Sequence, residues 1–306
     1  SPFSIKLIGD KSLSKRDFKR ISDPLTKFGT KFKLTNKKNL PLLIQGSTNL
    51  KAIKYFENRG SAQCKSSVIF GALRSNGTTL IKAKKSRDHT ELLCKHLNLP
   101  VYTKKNKYYD YIKVNKFKKF KSLNYKIPSD ISSSAFFIIL TVLTPNSKLI
   151  IKNVNINPSR VGVIKILKMM GIKILFQNKK KYKGETTADI KVLSPKKIKP
   201  INCPSELNSG AIDEFLVIFL VAAKANGISY FKNLGELNQK ESPRLKWGAK
   251  ILNEIGIKTI TTTSSIKIFG NPDLAVNKPT ESTLVTSSYV SVPPIETLPL
   301  NVASPV

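Results

Sequence analysis

Side chains that hold soft metals or form cross-links are scarce in this chain. Two histidines, His89 and His96, and three cysteines, Cys64, Cys94 and Cys203, occur among 306 residues. The cysteines lie far apart without paired spacing, which excludes a disulfide framework and suggests a reducing compartment. A zinc site of histidine and cysteine is not expected either. Long apolar runs are also missing. The longest are about nine residues, such as Phe215 to Ala223, whereas ~18 are needed to span a bilayer. The opening SPFSIKLIGD has no charged segment followed by an apolar one. It reads as the middle of a domain and not as a signal peptide. A cytoplasmic location, with no membrane partner, is the expectation.

Acids are few as well. Lysine and arginine total 53 against 19 acids, a net charge of +34. That excess alone would suit nucleic acid or an anionic surface. Arginine, however, supplies only seven of the 53, and the lysines run from Lys6 to Lys278 without gathering in one stretch. They read as a solvated surface, and nucleic acid is not the expected partner. An RNA-binding reading would need basic residues interleaved with aromatics on a sheet face. The segment 104–120, KKNKYYDYIKVNKFKKF, is the one candidate. A hairpin with a solvated face is the simpler expectation for it.

The chain is 40% hydrophobic, enough for a sizeable core, and it repeats itself. Three apolar stretches of helix length open on a serine: Ser61 in SAQCKSSVIFGAL, Ser132 in SSSAFFIILTVL and Ser209 in SGAIDEFLVIFLVAA. Each reaches an Asn-Gly or Asn-Ser pair, at Asn76, Asn146 and Asn226. Asn and Gly accept the left-handed backbone that closes a helix. A β-rich run such as LIIKNV follows. Then comes an arginine: Arg87 in KSRDHTELL, Arg160 in NPSRVGVIKIL, Arg244 in KESPRLKWGAKIL. A second, amphipathic helix starts there, with Leu245, Ala249, Leu252 and Ile255 on one face of the last. These helices close at Asn98, Gly171 and Gly256, eleven, eleven and twelve residues past the arginine. Two β-rich runs complete the unit, as in IKTITTT and SIKIFG.

With the strand that leads in, the unit is a βαβαββ module of about 70 to 85 residues. The start of the chain supplies only a second half: SKRDFKRISDPLTKFG, with Arg16, Arg20 and Gly29, then KFKLTN and PLLIQG. The sequence thus shows one partial and three complete copies. The first helices are apolar nearly all round, which predicts full burial. The expected class is α/β, built of repeated βαβαββ modules whose sheets enclose buried helices. Residues 279–306 hold no Lys or Arg, five prolines and nine Ser or Thr, and read as a disordered or foreign tail.

Four of the seven arginines, Arg16, Arg87, Arg160 and Arg244, stand where a loop enters a helix. Free backbone N–H groups and the helix dipole favour an anion there. A guanidinium adds two parallel donors that match phosphate or carboxylate. Asp213 and Glu214 stand at the start of an otherwise apolar helix, where an acid is either a cap or a proton carrier near cationic groups. Lys240, Glu241 and Arg244 share the short turn KESPR, which suits an anion and a proton transfer together. Ser61, Gln63 and Lys65 sit in one helix's first turn, where hydroxyl, amide and free N–H groups can hold a phosphorylated polyol. GDKSLSKR lacks the spacing of a phosphate loop, and no G-x-G-x-x-G or H-E-x-x-H occurs. His89 reads as a structural or supporting residue.

Together these stretches resemble one family. GDKSLSKRDFKRISDPLTKFG, SAQCKSSVIFGAL, SRDHTELL, NPSRVGVIKILKMMG, AIDEF and ELNQKESPRL are similar, in order over roughly residues 5 to 270, to the EPSP synthases. These are the 3-phosphoshikimate 1-carboxyvinyltransferases, and the likeness is greatest to their glyphosate-insensitive bacterial branch. The resemblance implies a two-domain, inside-out α/β fold of three modules per domain, with residues 1–127 in the first domain and 128–278 in the second. It implies transfer of the enolpyruvyl group of phosphoenolpyruvate to the 5-hydroxyl of shikimate 3-phosphate, with no metal or organic cofactor, by a monomer when complete. It also implies roles. Ser61, Ala62, Gln63, Arg87, Asp213 and Lys240 would hold shikimate 3-phosphate, and Arg16, Gln63 and Arg244 would hold phosphoenolpyruvate. Asp213 would take the hydroxyl proton and Glu241 would protonate the methylene carbon.

The chain departs from the family in places. K-E-S-D-R reads K-E-S-P-R, with Pro243 for an acid, and Asn238 replaces a usual arginine. GDKSLSKR also fits the family's first motif, K-S-x-S-x-R, which leaves Lys11 and Ser12 without a role once Arg16 is assigned to phosphoenolpyruvate. The first motif proper and a late H-R-x-A-M are absent from the sequence, so the polypeptide alone is expected to be inactive. The alternatives are the related enzyme that acts on UDP-N-acetylglucosamine and an RNA-binding or RNA-end-processing protein of similar modules.

Overall fold

The computed structural model of the chain describes residues 3–274, apart from 118, 121 and 240–242. The expected tail at 279–306, and Lys240 and Glu241, lie outside the described residues. The first, partial unit is β1 (Ser4–Leu7), a 3-10 turn (Leu13–Lys15), α1 (Lys19–Thr26), β2 (Lys31–Thr35) and β3 (Asn39–Gln45). The next is β4 (Lys54–Glu57), α2 (Ala62–Arg74), β5 (Thr78–Lys84), α3 (His89–His96), β6 (Val101–Lys105) and β7 (Tyr109–Asn115). The third is α4 (Ile131–Leu143), β8 (Lys148–Asn155), α5 (Gly162–Met169), β9 (Lys173–Tyr182) and β10 (Glu185–Leu193). The fourth is β11 (Asn202–Cys203), α6 (Phe215–Ala223), β12 (Gly227–Phe231), α7 (Arg244–Glu254), β13 (Thr259–Thr261) and β14 (Ile266–Gly270).

Each unit makes its own sheet, and the wiring is the same. The strand orders are β1-β3-β2, β4-β5-β7-β6, β8-β10-β9 and β11-β12-β14-β13. In each, the last strand lies between the strand before the arginine and its own hairpin partner, antiparallel to both. A leading strand joins in parallel where present, β4 on β5 and β11 on β12. That parallel pairing needs a crossover, which the apolar first helix supplies. The second helices close in left-handed backbone at Asn98, Gly171 and Gly256, as the Asn and Gly spacing predicts.

Two expectations need correction. Among the described residues the third unit has no leading strand; a single parallel bridge from Ser129 to Val154 stands in for it. Pro128 has no N–H to donate, and Asp130 already caps α4, its Oδ2 accepting from Ser133 N at 2.9 Å. One residue is left for pairing. Nor are the first helices all fully buried. In α6, Phe215, Ile218, Phe219, Val221 and Ala222 are sealed. In α4, Phe136, Phe137 and Leu140 are more than 60% exposed, and in α2 Phe70 is more than half exposed. Helix apolarity fixes which faces can be buried, whereas burial needs a neighbour on each face.

The strands alternate cleanly. In β5 and β7, Thr79, Ile81, Ala83, Asp110, Ile112 and Val114 point inward, against α2, and the residues between them point out. One core gathers Phe28, Val68, Ile69, Leu73, Ile81 and Ile112. A larger one gathers α4, α5, α6 and α7 with their sheets, around the rings of Phe215, Phe219 and Phe231. Each such side chain contributes about 1.5–3 kcal/mol on burial. Cys64, Cys94 and Cys203 are buried and unbridged; burial pushes the Cys94 and Cys203 thiols up to about 11.

Candidate active site

Buried acids fold the loops that carry the site. Glu57, sealed at the end of β4, accepts from the backbone N–H groups of Arg59 (3.0 Å), Gly60 (2.8 Å) and Ser61 (3.1 Å). This bends the chain so that Ser61 caps α2, its Oγ accepting from Cys64 N at 3.3 Å. Ala62 and Gln63 form the first turn behind it, with the Gln63 side chain exposed. Helix α2 is tied to α3 by the buried pair Lys65–Glu91 at 2.6 Å and by Ser66 and Thr90, whose hydroxyls are 2.6 Å apart. The Ser61 turn and the Arg87 turn are therefore held as one piece.

Arg87 reaches the other half of the chain. Its Nη2 donates to Asp213 Oδ2, and Arg244 Nη1 donates to Asp213 Oδ1 at 3.3 Å. These three side chains are 22% to 29% exposed, open enough to exchange partners with a ligand. Two guanidiniums meeting on one carboxylate form a site with two forks for anions and one acid between them. Arg16 is placed by a separate loop, after β1. Asn39 Nδ2 donates to the carbonyls of Lys15 (3.0 Å) and Arg16 (3.1 Å), which fixes the turn. Lys11 and Ser12 are exposed on the same loop.

A second cluster adjoins the first. Arg160 donates to Ser132 Oγ and, at 3.1 Å, to Asp130 Oδ1; Ser132 donates to Glu214 Oε1. Glu214 is sealed and the Arg160 side chain is only 12% exposed. Burial raises the Glu214 carboxyl, although Ser132 and Arg160 oppose the shift. Burial and the charge of Arg87 lower Arg160, which still remains a cation. Sequence alone does not single out Ser132 as a site residue, and it marks Arg160 only as an anion-binder and Glu214 only as a cap or proton carrier. The repeat carried the signal, because Ser132 and Arg160 occupy in the third unit the places of Ser61 and Arg87 in the second.

The junction behind Arg87 is a partly buried polar network. Asn157 Nδ2 donates to Asp88 Oδ1 (2.9 Å) and Glu185 Oε2 (3.2 Å); Ser159 donates to Asp88 Oδ1 (3.2 Å); Lys105 pairs with Asp88 Oδ2 (2.5 Å); His89 meets Glu185 Oε1 (2.5 Å). Burial works against the charge of Asp88, but the bonds from Lys105, Asn157 and Ser159 hold its carboxyl below the usual range. His89 is thus a supporting residue, as the sequence suggests. The loops of Arg160 and Asp213 meet as bare backbone. A Cβ on Gly162, where α5 begins, would come within 2.5 Å of the Gly210 carbonyl carbon and 2.7 Å of Ala211 N. Among the described residues, no group of three or more His, Cys, Asp or Glu is set to hold a metal ion, and no helix is long and apolar enough to cross a membrane.

Comparison with known proteins agrees with this geometry. The family model of EPSP synthase (3-phosphoshikimate 1-carboxyvinyltransferase) matches residues 1–280. The 3-phosphoshikimate 1-carboxyvinyltransferase of Ruthia magnifica is 40% identical over 269 residues, and that of Hydrogenovibrio crunogenus 38% over 270. Each match takes in 88% of this chain and 60% of the relative, so the chain spans about 60% of the length of the curated relatives it matches. Among solved structures, EPSP synthase from Acinetobacter baumannii superposes with a TM-score of 0.77 at 36% identity, over 88% of this chain and 60% of that one. The enolpyruvyl transferase NikO from Streptomyces tendae, at 12% identity and a TM-score of 0.59, shares the fold. The chain belongs to the EPSP synthase family, the 3-phosphoshikimate 1-carboxyvinyltransferases.

Proposed function

We propose that this chain forms part of an enzyme that moves the enolpyruvyl group of phosphoenolpyruvate onto the 5-hydroxyl of shikimate 3-phosphate. The observation that carries the reading is the convergence of Arg87 and Arg244 on Asp213, from turns far apart in sequence. In the reading, Ser61, Ala62, Gln63 and Arg87 hold shikimate 3-phosphate. Arg16, Gln63 and Arg244 hold phosphoenolpyruvate. Asp213 accepts the proton of the 5-hydroxyl as its oxygen bonds to C2 of phosphoenolpyruvate, and the methylene C3 gains a proton from Glu241. The tetrahedral adduct then loses phosphate by cleavage of its C2–O bond, and C3 gives up a proton to restore the double bond. Lys240 touches the sugar-like ring and offsets charge. Arginines are suited to this work because two strongly anionic ligands must be held together while acid and base flank them.

The same reading assigns residues 1–127 and 128–278 to different domains and places the enzyme in the cytoplasm. It predicts binding without turnover. Calorimetric titration of the 306-residue chain with shikimate 3-phosphate should give a binding isotherm that Arg87→Ala weakens. Mixed with both substrates, the chain alone should release no phosphate, because the first and last family motifs are not in it. Absence of any heat with either ligand would remove the reading of the site. Phosphate release by the chain alone would remove the claim that those motifs are required.

A further inference from the structure

The sheet β4-β5-β7-β6 carries a second surface on the face opposite α2. Register sets its outward side chains in two rows across the strands. Lys54, Leu80, Lys113 and Tyr102 form one; Phe56, Lys82, Tyr111 and Lys104 form the other. Phe56, Tyr102 and Tyr111 are 42% to 60% exposed. Lys82 Nζ lies 5.2 Å from the ring centroid of Phe56 and 4.4 Å from that of Tyr109. The face is slightly concave, enclosing about 640 Å³. Its acids point the other way: Asp110 is buried and paired with Lys85, and Glu57 is buried under the Ser61 turn. Among the described residues, Lys54, Lys82, Lys104 and Lys113 pair with no acid. Four lysines without counter-charge are set among exposed rings on neighbouring strands. They alternate a charge for a phosphate with a ring for a base.

We infer that this face binds single-stranded RNA. Bases stack on Phe56, Tyr111 and Tyr102, and the backbone phosphates lie along Lys54, Lys82, Lys104 and Lys113. Adjacent strands are ~4.8 Å apart and same-face residues on one strand ~7 Å apart, a spacing that unstacked nucleotides can follow. Stacking accepts any base, so sequence preference is weak, and a duplex has no free base faces to offer. The hydroxyls of Tyr102 and Tyr111 add partners for a ribose 2′-OH, which selects RNA over DNA.

The test is fluorescence anisotropy of the chain with a labelled oligouridine of ~12 nucleotides at several salt concentrations, since a +34 chain attracts any polyanion. The double variant Phe56→Ala/Tyr111→Ala leaves the charge unchanged and should weaken binding about tenfold or more. Lys82→Gln/Lys104→Gln should weaken it and flatten the salt slope. Lys148→Gln/Lys173→Gln, the same charge change on β8 and β9, should do so by less than about threefold. Circular dichroism shows whether each variant keeps its fold. Equal binding by wild type and Phe56→Ala/Tyr111→Ala, or equal loss from the two lysine pairs, would overturn the site. Oligothymidine binding as tightly as oligouridine would overturn the choice of RNA.

Discussion

Asp213 and Glu214 are neighbours in sequence and end in opposite surroundings. Asp213 is partly exposed between Arg87 and Arg244. Glu214 is sealed behind Ser132 and Arg160. The open cluster can trade its ion pairs for a ligand at little loss, because partly solvated pairs are weak. The closed cluster cannot, because an unpaired buried charge is expensive. One helix start therefore leaves its first acid open to solvent and seals its second into the scaffold.

The sharpest way to break this comparison is to remove one arginine from each cluster. Arg160→Ala leaves Glu214 buried without its cation and should lower stability by about 3–5 kcal/mol in urea denaturation. Arg87→Ala should stay within about 1 kcal/mol. Equal losses would mean that the two clusters do not differ. The order reverses for ligand. Arg87→Ala should weaken shikimate 3-phosphate by tenfold or more in calorimetry, since a charge-assisted bond contributes about 1.5–3 kcal/mol.

Asp213→Asn is a finer probe. It removes the charge that competes with a ligand for both arginines. Phosphoenolpyruvate should bind up to about fivefold tighter, equivalent to ~1 kcal/mol, and a loss of affinity would count against the exchange.

The smallest effects lie in pH dependence. The Glu214 carboxyl is raised in the fold. Its contribution to stability is full below the ordinary glutamate value and fades as pH rises through the raised one. Glu214→Gln should therefore gain stability relative to wild type as pH rises above the ordinary glutamate value in thermal melts. Asp189 is the opposite case. Bonds from Asn153 N (2.8 Å), Asn178 Nδ2 (2.8 Å) and Lys152 (2.9 Å) bring its carboxyl down to about 2. Its contribution is full above the ordinary aspartate value and is lost as pH falls toward 2. Asp189→Asn should lower stability at neutral pH, flatten the acid limb and converge with wild type as pH falls toward 2.

Much of the fold was legible because the signals were local. Arginine, amphipathic helix, closing Asn or Gly and hairpin recur in sequence, and each recurs as one sheet with the same strand order. Arg87, Asp213 and Arg244 were legible through repeat and resemblance, and the structure brings them together. The rest depended on distance. Nothing near Ser132 announces that Glu214, 82 residues on, will accept its hydrogen bond. Nothing in α4 says which side will lack a neighbour, so Phe136 and Phe137 read as core. The lysines of the second sheet looked solvated one by one, and only the register of four strands set them between aromatic rings.

The contact of Gly162 with Gly210 has a consequence for how such a protein can change. Where the loops of Arg160 and Asp213 touch main chain to main chain, side chains do not act as spacers. Their separation is fixed by atomic radii. The surrounding residues can drift, even toward a surface as lysine-laden as this one, while the gap between the loops holds constant. Alanine at Gly162 would act as a wedge, and the harm would be felt in Arg160 and Asp213 together before any ligand arrived.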